Sequence, residues 1–536
     1  MTARILTFLL KTAVALVALS IPLVGAWLGS SLAAMLDGPK WVAPVVALLG
    51  FPVLPFLWEG WARARRKDEA TKAILTTWDR VILRTLVLNF AFVSAFVAFD
   101  SDRMFTALST RGDWMLDDAE GPRVEQVRSG LFATVEGLEW LLIGAEADNL
   151  YRDLVDDDAP PPDLGDSARP SDPVPAPNDS AHSSPTSRDQ RPSSDSPLPA
   201  VAPERSDSSN DAAPERDSPS PTVAGRSDSL NAPDRNAPAP TAEARWPFSQ
   251  TPSAAATRVP PGAEDSVRSL GQHFRALADP LERTRAIHDW IAVHISYDVA
   301  LLRRLEGGER VSATTQDAAT VLRARRGVCA GYSNLMKALG DEAGIDVRVI
   351  TGHTKDSAAL GGVGHAWNAV KIGERWHLID ATWNAGYVNG DTFTRRYTSD
   401  YFLTPPAVFG TNHFPDQAEW QLLETPLTRA EFLRLPNMRP AFFRQGLTLE
   451  APTRSQSSTS GTAQIRLKNP ERQFVMVNFG AKGAQPSTQC GNVSNGTQLT
   501  FNCELPRAGI YEVHVFTNPA RSGSYVGVGA VEVVRQ

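Results

Sequence analysis

The chain has 536 residues, with 60 acidic residues, 53 Lys or Arg residues and a net charge of −7. This length argues against a single domain, and the acidic balance excludes the basic surface that is typical of a nucleic-acid-binding protein. Hydrophobic residues make up 42% of the sequence but are distributed unevenly, so we predict several regions of different character.

Residues 1–100 contain three long apolar runs, at residues 12–36, 41–57 and 81–99. Each run approaches the ~20 residues that a transmembrane helix needs, so we predict an α-helical membrane anchor with three spans. A signal peptide is the alternative for the first run, although that run is longer than a usual signal-peptide core. Buried helices of a soluble domain are a further alternative for all three runs.

Basic residues predict how this anchor is oriented. Arg4 and Lys11 precede the first run, and a cluster of Arg and Lys at residues 63–67 lies between the second and third runs. The positive-inside rule places both groups on the cytoplasmic side, so the chain after Asp100 is predicted to lie outside the cytoplasm. The excess of Arg over Lys suggests a bacterial genome. We therefore predict a bacterial inner-membrane protein with a periplasmic, extracytoplasmic catalytic domain.

Two regions of different composition follow the predicted anchor. Residues 101–155 are predicted to be a juxtamembrane helical segment, because apolar residues such as Leu131 and Leu138 recur at helical spacing. This segment is either a stalk or self-association helix, or an amphipathic helix at the membrane surface. Residues 156–262 are rich in Pro, Ser, Asp and Ala, with no aromatic residue before Trp246. Such a composition buries too little apolar surface to fold, so we predict a disordered linker.

Residues 263–436 contain the residues on which the functional interpretation depends. Cys329, one of 3 cysteines, lies where a loop is predicted to turn into a helix, and His365 and Asp380 follow it along the chain. A helix N-terminus and a neighbouring imidazolium both favour the thiolate form of a cysteine. A carboxylate holds one imidazole nitrogen so that the other faces the sulfur. The three side chains in this order therefore predict a Cys–His–Asp catalytic centre.

The predicted geometry of this centre depends on a β-hairpin. Two alternating segments flank residues 373–374, a Gly-Glu pair that fits a two-residue turn with glycine first. Such a turn pairs Ile372 with Arg375 and puts His365 diagonal to Asp380 on the same face, roughly 7–8 Å apart. A three-residue turn would shift the register by one residue and put the two side chains on opposite faces.

Five short motifs occur in order around these residues: His288-Asp289-Trp290-Ile291, Gly327-Val328-Cys329-Ala330-Gly331-Tyr332, His365-Ala366-Trp367-Asn368, Trp376-His377-Leu378-Ile379-Asp380 and His413-Phe414-Pro415. Together they resemble the transglutaminase-like (papain-related) superfamily and, within it, the kyphoscoliosis peptidase group. The resemblance implies an α+β fold, a nucleophile at Cys329, a base at His365 and an orienting acid at Asp380. It implies no cofactor. It leaves the reaction open, because the superfamily includes peptidases, acyl-transfer enzymes and inactive members.

Residues 437–536 consist of short alternating segments separated by turn residues. This pattern predicts an antiparallel β-sandwich, with immunoglobulin-like topology as the expectation. Cys490 and Cys503 both lie in this region. A location outside the cytoplasm permits a disulfide between them and leaves Cys329 free. Two unpaired buried cysteines are the alternative.

Alternative roles exist for several residues near the predicted centre. A zinc site needs three or four converging ligands, and no C-x-x-C or H-x-x-x-H spacing occurs, so no metal is predicted. Trp367, Trp376 and Trp383 either wall a substrate cleft or belong to the core, and we favour the core. The oxyanion hole is expected to include the backbone N–H of Cys329, with Gln316 as a candidate for the second donor.

The sequence therefore predicts a multidomain protein that carries a membrane anchor, a transglutaminase-like catalytic domain and a β-sandwich. Its predicted activity is that of a peptidase, which cleaves protein or peptide amides through a thioester on Cys329. A protein-crosslinking transglutaminase, in which an amine resolves the thioester, is one alternative. A catalytically inactive domain that binds envelope proteins or polysaccharide is the other. The sequence does not predict the oligomeric state.

Overall fold

The structure is a computed structural model, and the residues that it describes are 12–13, 16, 23–36, 38, 41–65, 76–117, 119, 121–137, 139, 149–155, 245–355, 363–493 and 497–536. Residues 156–244 of the predicted linker lie outside the described residues, as does the loop at residues 356–362. Residues 245–262, at the end of the predicted linker, are described. Within them Phe248 packs edge-on against Phe402, with ring centroids 4.9 Å apart.

Helices form the N-terminal region and surround the central domain, and residues 23–35 are also helical. Several helices of the central domain begin at an Asp side chain that accepts a backbone N–H of the first turn, as Asp279, Asp298 and Asp317 do. In chain order the helices are α1 (Val42–Leu48), α2 (Leu54–Arg65), α3 (Thr77–Arg111), α4 (Pro122–Gly137), α5 (Ala254–Thr257), α6 (Val267–Arg275), α7 (Pro280–His294), α8 (Val299–Glu306), α9 (Ala318–Ala324), α10 (Cys329–Ala343), α11 (Ala381–Ala385), α12 (Pro406–Phe409), α13 (Arg429–Arg434) and α14 (Pro440–Arg444).

The strands belong to the central domain and to the C-terminal domain. In chain order they are β1 (Ser296–Tyr297), β2 (Arg326–Gly327), β3 (Val347–Thr354), β4 (Val363–Ile372), β5 (Arg375–Ile379), β6 (Gly386–Asn389), β7 (Thr392–Arg395), β8 (Phe402–Thr404), β9 (His413–Pro415), β10 (Asn437–Met438), β11 (Thr448–Ala451), β12 (Gln456–Thr459), β13 (Thr462–Lys468), β14 (Phe474–Ala481), β15 (Thr488–Gln489), β16 (Gly491–Asn492), β17 (Gln498–Glu504), β18 (Gly509–Asn518) and β19 (Val526–Arg535). The short strands β1 and β2 pair in parallel, and β6 and β7 form a hairpin.

The central domain is built on an antiparallel sheet in the order β8-β5-β4-β3-β9. Helix α10 packs on this sheet, so that Leu335 and Leu339 share one buried cluster with Val370 of β4 and Ile379 of β5. Trp290 of α7 closes the same cluster. Each such side chain stabilises the fold by about 1.5–3 kcal/mol when it is fully buried. The packing holds the start of α10 against the edge of the β4–β5 hairpin.

The C-terminal domain is a β-sandwich, as predicted. One sheet has the order β10-β19-β18-β14-β15, with β12 added in parallel beside β19, and the other has the order β11-β13-β17-β16. Strand β13 alternates strictly between buried and exposed residues, which is typical of a sheet with one face on a core. A disulfide joins Cys490 to Cys503, and Cys329 is a free, buried cysteine.

The N-terminal region differs from its prediction. Among the described residues, no helix has both the length and the apolar composition that crossing a bilayer requires, so the predicted three-span anchor is contradicted. Helices α1 and α2 have 7 and 12 residues and are separated by a π-helical turn. Helix α3 is longer, but its Arg80 and Arg84 pair with the buried Glu59 of α2. Its Asn89 donates to the carbonyl of Gly50 at 3.1 Å. These polar contacts interrupt the apolar runs that suggested spans.

Instead, the second half of α3 packs against the central domain. Met104, Phe105 and Leu108 are buried in one cluster with Phe432 and Leu433 of α13. Ion pairs surround this contact, with Arg429 of α13 3.7 Å from Asp102, Arg434 2.6 Å from Glu136, and Arg454 2.5 Å from the buried Asp113. Met104, Phe105 and Leu108 of α3 therefore have a protein surface to cover them.

The segment at residues 101–155, predicted to be helical, consists of several pieces. Helix α3 continues to Arg111, and α4 ends at Gly137. Residues 149–155 contain a 3₁₀ turn at Arg152–Leu154 but no α-helix. They lie against the central domain. The helical spacing that we found in the sequence therefore describes α4 but not the end of the segment.

A buried lysine joins the sheet to helix α13. Lys355 follows β3, and its amino group donates to the carbonyls of Phe432 and Leu435 at 2.7 and 2.8 Å. These carbonyls lie at the C-terminal end of α13, where that of Phe432 also accepts the N–H of Leu435 at 3.2 Å. Burial holds the pKa of Lys355 well below its usual range. The backbone N–H of Lys355 donates to the carbonyl of Asn412 at 3.0 Å, next to strand β9.

Candidate active site

Cys329 is the first residue of helix α10 and is fully buried. Val328 before it has an extended backbone, so the chain turns from loop into helix at the cysteine. Gln316 fixes this turn, because its side-chain oxygen accepts the backbone N–H of Val328 at 2.9 Å. The first N–H groups of a helix have no intrahelical partner, so the sulfur lies where a negative charge is stabilised.

His365 reaches the site from strand β4, and its hairpin has the predicted register. Ile372 pairs with Arg375, and Gly373 in the turn has a φ of +63°. Glycine adopts this left-handed conformation without a steric penalty, which explains its place at the first turn position. In this register His365 and Asp380 lie diagonally on one face of the hairpin, as the sequence analysis requires.

Asp380 directly follows β5 and caps helix α11. Its Oδ1 accepts the N–H of Trp383 at 3.0 Å, and its Oδ2 accepts a hydrogen bond from Nε2 of His365 at 2.7 Å. Because the carboxylate holds Nε2, the other ring nitrogen of His365 is left for Cys329, which also acts electrostatically on His365. The structure thus brings together the three predicted side chains in the order thiol, imidazole and carboxylate.

The charges around this site stabilise an imidazolium. Burial disfavours the charged form of His365, but Asp380 and Cys329 outweigh that effect and raise the pKa of His365 to about 10. Burial would also raise the pKa of Asp380, yet His365 and His413 hold the pKa of this carboxyl well below its usual range. At neutral pH the site therefore holds a protonated His365 beside an ionised Asp380.

His413 on β9 is a second partner of Asp380, and the sequence assigned it no role. Its Nε2 lies 3.2 Å from Oδ2 of Asp380, and its Nδ1 lies 2.8 Å from the side-chain amide of Asn412. The rings of Phe409 and Trp383 lie 4.2 and 4.7 Å from its ring centroid. This burial lowers the pKa of His413 to about 4, although Asp380 opposes the shift. A neutral His413 carries a single N–H group, while the two atoms that face its ring nitrogens, Oδ2 of Asp380 and Oδ1 of Asn412, are both acceptors. Its position in the last of the family-like motifs was the available signal.

The potential ligand atoms of His365, Asp380 and His413 lie within 4.8 Å of one another. However, both imidazoles lie within hydrogen-bond distance of the same carboxylate oxygen, at 2.7 and 3.2 Å. A tetrahedral zinc ion with bonds of about 2.0–2.1 Å would hold its ligand atoms roughly 3.3 Å apart. The observed contacts therefore favour a hydrogen-bonded network over a metal centre.

Side-chain contacts bear on two further expectations. Nε2 of Gln316 donates to the carbonyl of Thr315 at 2.8 Å, while its Oε1 accepts from Val328. The Gln316 amide thus supports the turn before Cys329 through its oxygen and is held through its nitrogen by its own neighbour in the chain. Trp367 is buried in a cluster with Phe409, which agrees with the expectation of a core role.

Two tyrosines lie beside Cys329, and neither was assigned to the site from the sequence. Tyr297 packs against the buried cluster that contains Tyr151 and Cys329, and the three side chains interact electrostatically. Tyr151 is 2% exposed and shares a buried cluster with Cys329 and Ala366. Burial, followed by the neighbouring Cys329, raises the pKa of Tyr151 above its usual range, so the phenol stays protonated. No local sequence pattern connects Tyr151 to a site so distant along the chain.

The fold and the site together define a transglutaminase-like domain with a cysteine at the start of its central helix. Residues 268–381 match the transglutaminase-like superfamily, and residues 429–534 match the KY-like, immunoglobulin-like domain. The chain therefore contains a transglutaminase-like domain followed by an immunoglobulin-like β domain, and both parts of this prediction are confirmed.

The relatives include kyphoscoliosis peptidases. The protein from Mus musculus is 32% identical over 273 residues, which cover 49% of this chain and 39% of the relative. The protein from Homo sapiens is 32% identical over 245 residues, which cover 44% of this chain and 36% of the relative. The chain thus spans less than half the length of these relatives. A solved TGase structure is 20% identical with a TM-score of 0.20, and covers 26% of this chain and 36% of its own.

Proposed function

We propose that this protein is a cysteine-nucleophile acyl-transfer enzyme in which Cys329, His365 and Asp380 carry the reaction. The observation that supports the proposal most strongly is the hydrogen bond between His365 and Asp380, together with the electrostatic interaction of His365 with Cys329. A cysteine that only fills a core has no need of a buried imidazole and a buried carboxylate aligned behind it.

The proposed reaction begins when the Cys329 thiolate attacks an amide carbonyl and forms a tetrahedral intermediate. The backbone N–H of Cys329, at the start of α10, is available to donate to the oxyanion. The intermediate then breaks its C–N bond, and protonated His365 gives its proton to the leaving amine. The resulting thioester on Cys329 is resolved by water in a peptidase or by an amine in a transglutaminase. His365 takes a proton from that nucleophile, and the thiolate leaves.

Hydrolysis of protein or peptide amides is the reaction that we favour. The relatives that support this choice bear the name peptidase. Crosslinking of proteins through an amine is the second candidate, supported by the match of residues 268–381 to the transglutaminase-like superfamily. The two candidates share every step as far as the thioester.

A location outside the cytoplasm remains part of the proposal. The disulfide between Cys490 and Cys503 supports it, because such bonds persist in oxidising compartments and are rare in the cytosol. The protein's partners in such a location are proposed to be protein or peptide substrates.

The test follows amide hydrolysis and amine incorporation side by side in the full-length protein. A quenched peptide mixture reports hydrolysis, and a fluorescent primary amine offered with a protein acceptor reports transamidation. We expect hydrolysis to dominate and to be abolished in Cys329→Ala and His365→Ala. His377→Asn is the matched control, since His377 is a buried histidine on the neighbouring strand β5 that is not part of the triad.

Amine incorporation that exceeds hydrolysis would move the assignment to a transglutaminase. Hydrolysis that survives in Cys329→Ala would show that Cys329 is not the nucleophile. If no amide substrate or amine reacts even when Cys329 is accessible to alkylation, the domain is a binding module.

A further inference from the structure

Residues 149–155 pack over Cys329. They contribute no side chain to the proposed triad of Cys329, His365 and Asp380. Tyr151 and Leu154 are each 2% exposed and pack in one cluster with Leu301 and Leu305 of α8 and with Cys329 itself. Cys329 has no exposed surface. A nucleophile must reach its substrate, so a segment that lies on the sulfur has to leave before the substrate can bind.

Polar contacts fix the segment on both sides of the site. The side-chain amide of Asn149 donates to the carbonyls of Gly352 and His365, at 2.9 and 3.1 Å, and thus joins β3 and β4. On the opposite side, the amide of Asn334 in α10 donates to the carbonyl of Leu154 at 2.8 Å. The segment therefore bonds to the strand that carries the catalytic histidine and to the helix that carries the cysteine.

The segment meets the nucleophile with a group that cannot react. The Tyr151 side chain, which shares the buried cluster of Cys329, ends in a phenol that offers no acyl carbon. The carbonyl groups of Asn149 and Tyr151 accept N–H groups of the segment itself, from Arg152 and Leu154. The segment thus occupies the site in the manner of an inhibitor rather than of a substrate.

A glycine of the catalytic domain is matched to this occupant. A Cβ atom on Gly364 would lie 2.8 Å from Oδ1 and 3.2 Å from Cγ of Asn149, and the three nearest heavy atoms all belong to that residue. No atom of the central domain stands as close. The absence of a side chain at position 364 therefore admits Asn149, and an alanine there would press on the segment first.

From these contacts we propose that residues 149–155 are an intramolecular inhibitor that occupies the substrate site, and that this site binds a peptide with an aromatic side chain beside Cys329. The inference rests on the proposed function, because it assigns the substrate class of the same centre. Because the segment and the site belong to one chain, the effective concentration of the segment is of the order of millimolar. A competing substrate binds when the segment has been displaced or cleaved.

The test measures how fast iodoacetamide labels Cys329 in the full-length protein. Cys490 and Cys503 are joined in a disulfide, so the label reports on Cys329 alone. Loss of the buried Tyr151 ring is expected to speed labelling between about 10-fold and 100-fold in Tyr151→Ala. Gly364→Ala is expected to act in the same direction. The matched control is Tyr387→Ala, since Tyr387 is 51% exposed and its loss is expected to leave the rate unchanged.

A peptide added in trans separates displacement of the segment from loss of the fold. A peptide with the sequence of residues 149–155 and blocked ends, at about millimolar concentration, is expected to protect Cys329 of the Tyr151→Ala variant again. The same peptide with Ala at its tyrosine position is expected not to. An unfolded variant gains no protection from either peptide. Equal labelling of the natural chain, Tyr151→Ala and Gly364→Ala would overturn the proposal.

Turnover measured on the same samples distinguishes this inference from the proposed function. Faster labelling of Tyr151→Ala without turnover of any amide would support the inhibitory segment and contradict the proposed enzymatic function. If the natural chain turns over an amide and no variant is labelled faster, the proposed enzymatic function is supported and the inhibitory segment is contradicted.

Discussion

The hairpin that carries His365 and the N-terminal region that contains α1 to α3 are both rich in apolar residues, but only the hairpin folds as its sequence predicts. In the hairpin, the alternation, the two-residue turn and the pairing of Ile372 with Arg375 all specify one register. In the N-terminal region, an apolar run indicates that a surface must be covered and does not indicate what covers it.

The difference shows which local sequence patterns determine a structure without information from distant parts of the chain. A register error in the hairpin would move every side chain to the wrong face, so local chemistry selects one arrangement. The buried face of α3 is instead satisfied by residues of α13, more than three hundred positions later in the chain, including Phe432 and Leu433. No window of sequence around α3 contains that information.

Breaking the hairpin contact at Asp380 is expected to have the largest effect. In Asp380→Asn the side chain keeps its size but loses the charge that stabilises the protonated His365. We expect kcat to fall roughly 10⁴-fold, as for the equivalent change in a well-studied triad. Steady-state hydrolysis, with thermal unfolding on the same samples, measures the effect.

The comparison variant for this change is His413→Asn, which removes the second partner of Asp380 and leaves the charge of the carboxylate. We expect a clearly smaller loss of kcat from it. Equal losses in the two variants would contradict the assignment of Asp380 as the group that orients His365.

The packing of α3 on α13 can be compared directly with the catalytic core. Leu108 of α3 and Leu339 of α10 both have no exposed surface, so each change to Ala is expected to cost about 2–5 kcal/mol. Leu83→Ala is the control, because Leu83 lies on the same helix and is 51% exposed. Urea unfolding midpoints measure all three. A Leu108→Ala variant as stable as the Leu83→Ala variant would mean that α3 does not stabilise the folded domains.

A smaller and more gradual effect is expected from pH. Burial lowers the pKa of both His377 and His413 to about 4, and Arg375 adds to the shift of His377. In the unfolded chain these imidazoles have their ordinary pKa, so they bind protons already as the pH falls below about 6.5. Each is expected to reduce the free energy of unfolding by up to ~1.4 kcal/mol per pH unit between about 6.5 and 4. His365 has the opposite sign. Its pKa of about 10 gives stability that is complete below about 6.5 and is lost as the pH rises towards 10.

Urea midpoints across this pH range measure the two slopes separately. His377→Asn is expected to reduce the dependence of the free energy of unfolding on pH on the acid side alone. His365→Asn is expected to reduce it on the alkaline side alone. A stability that does not change with pH on either side would show that these imidazoles keep their ordinary pKa in the folded protein.

The arrangement of the candidate site was predictable because Cys329, His365 and Asp380 lie in short motifs whose local structure the sequence determines. The β-sandwich was predictable from alternation for the same reason. His413 was not, because β9 joins the sheet beside β3 rather than beside its neighbours in sequence. Tyr151 was not, because its contact with Cys329 crosses a long stretch of chain that has no pattern of its own.

The buried amino group of Lys355 has a consequence for how this sequence can diverge. It terminates α13 by bonding the carbonyls of Phe432 and Leu435, and its own backbone bonds Asn412 beside the catalytic histidine network. An apolar replacement would remove this donor from both carbonyls, and that of Phe432 would keep only the N–H of Leu435. Position 355 and the end of α13 are therefore expected to covary among homologues, with loss of the lysine accompanied by a longer helix or a new donor.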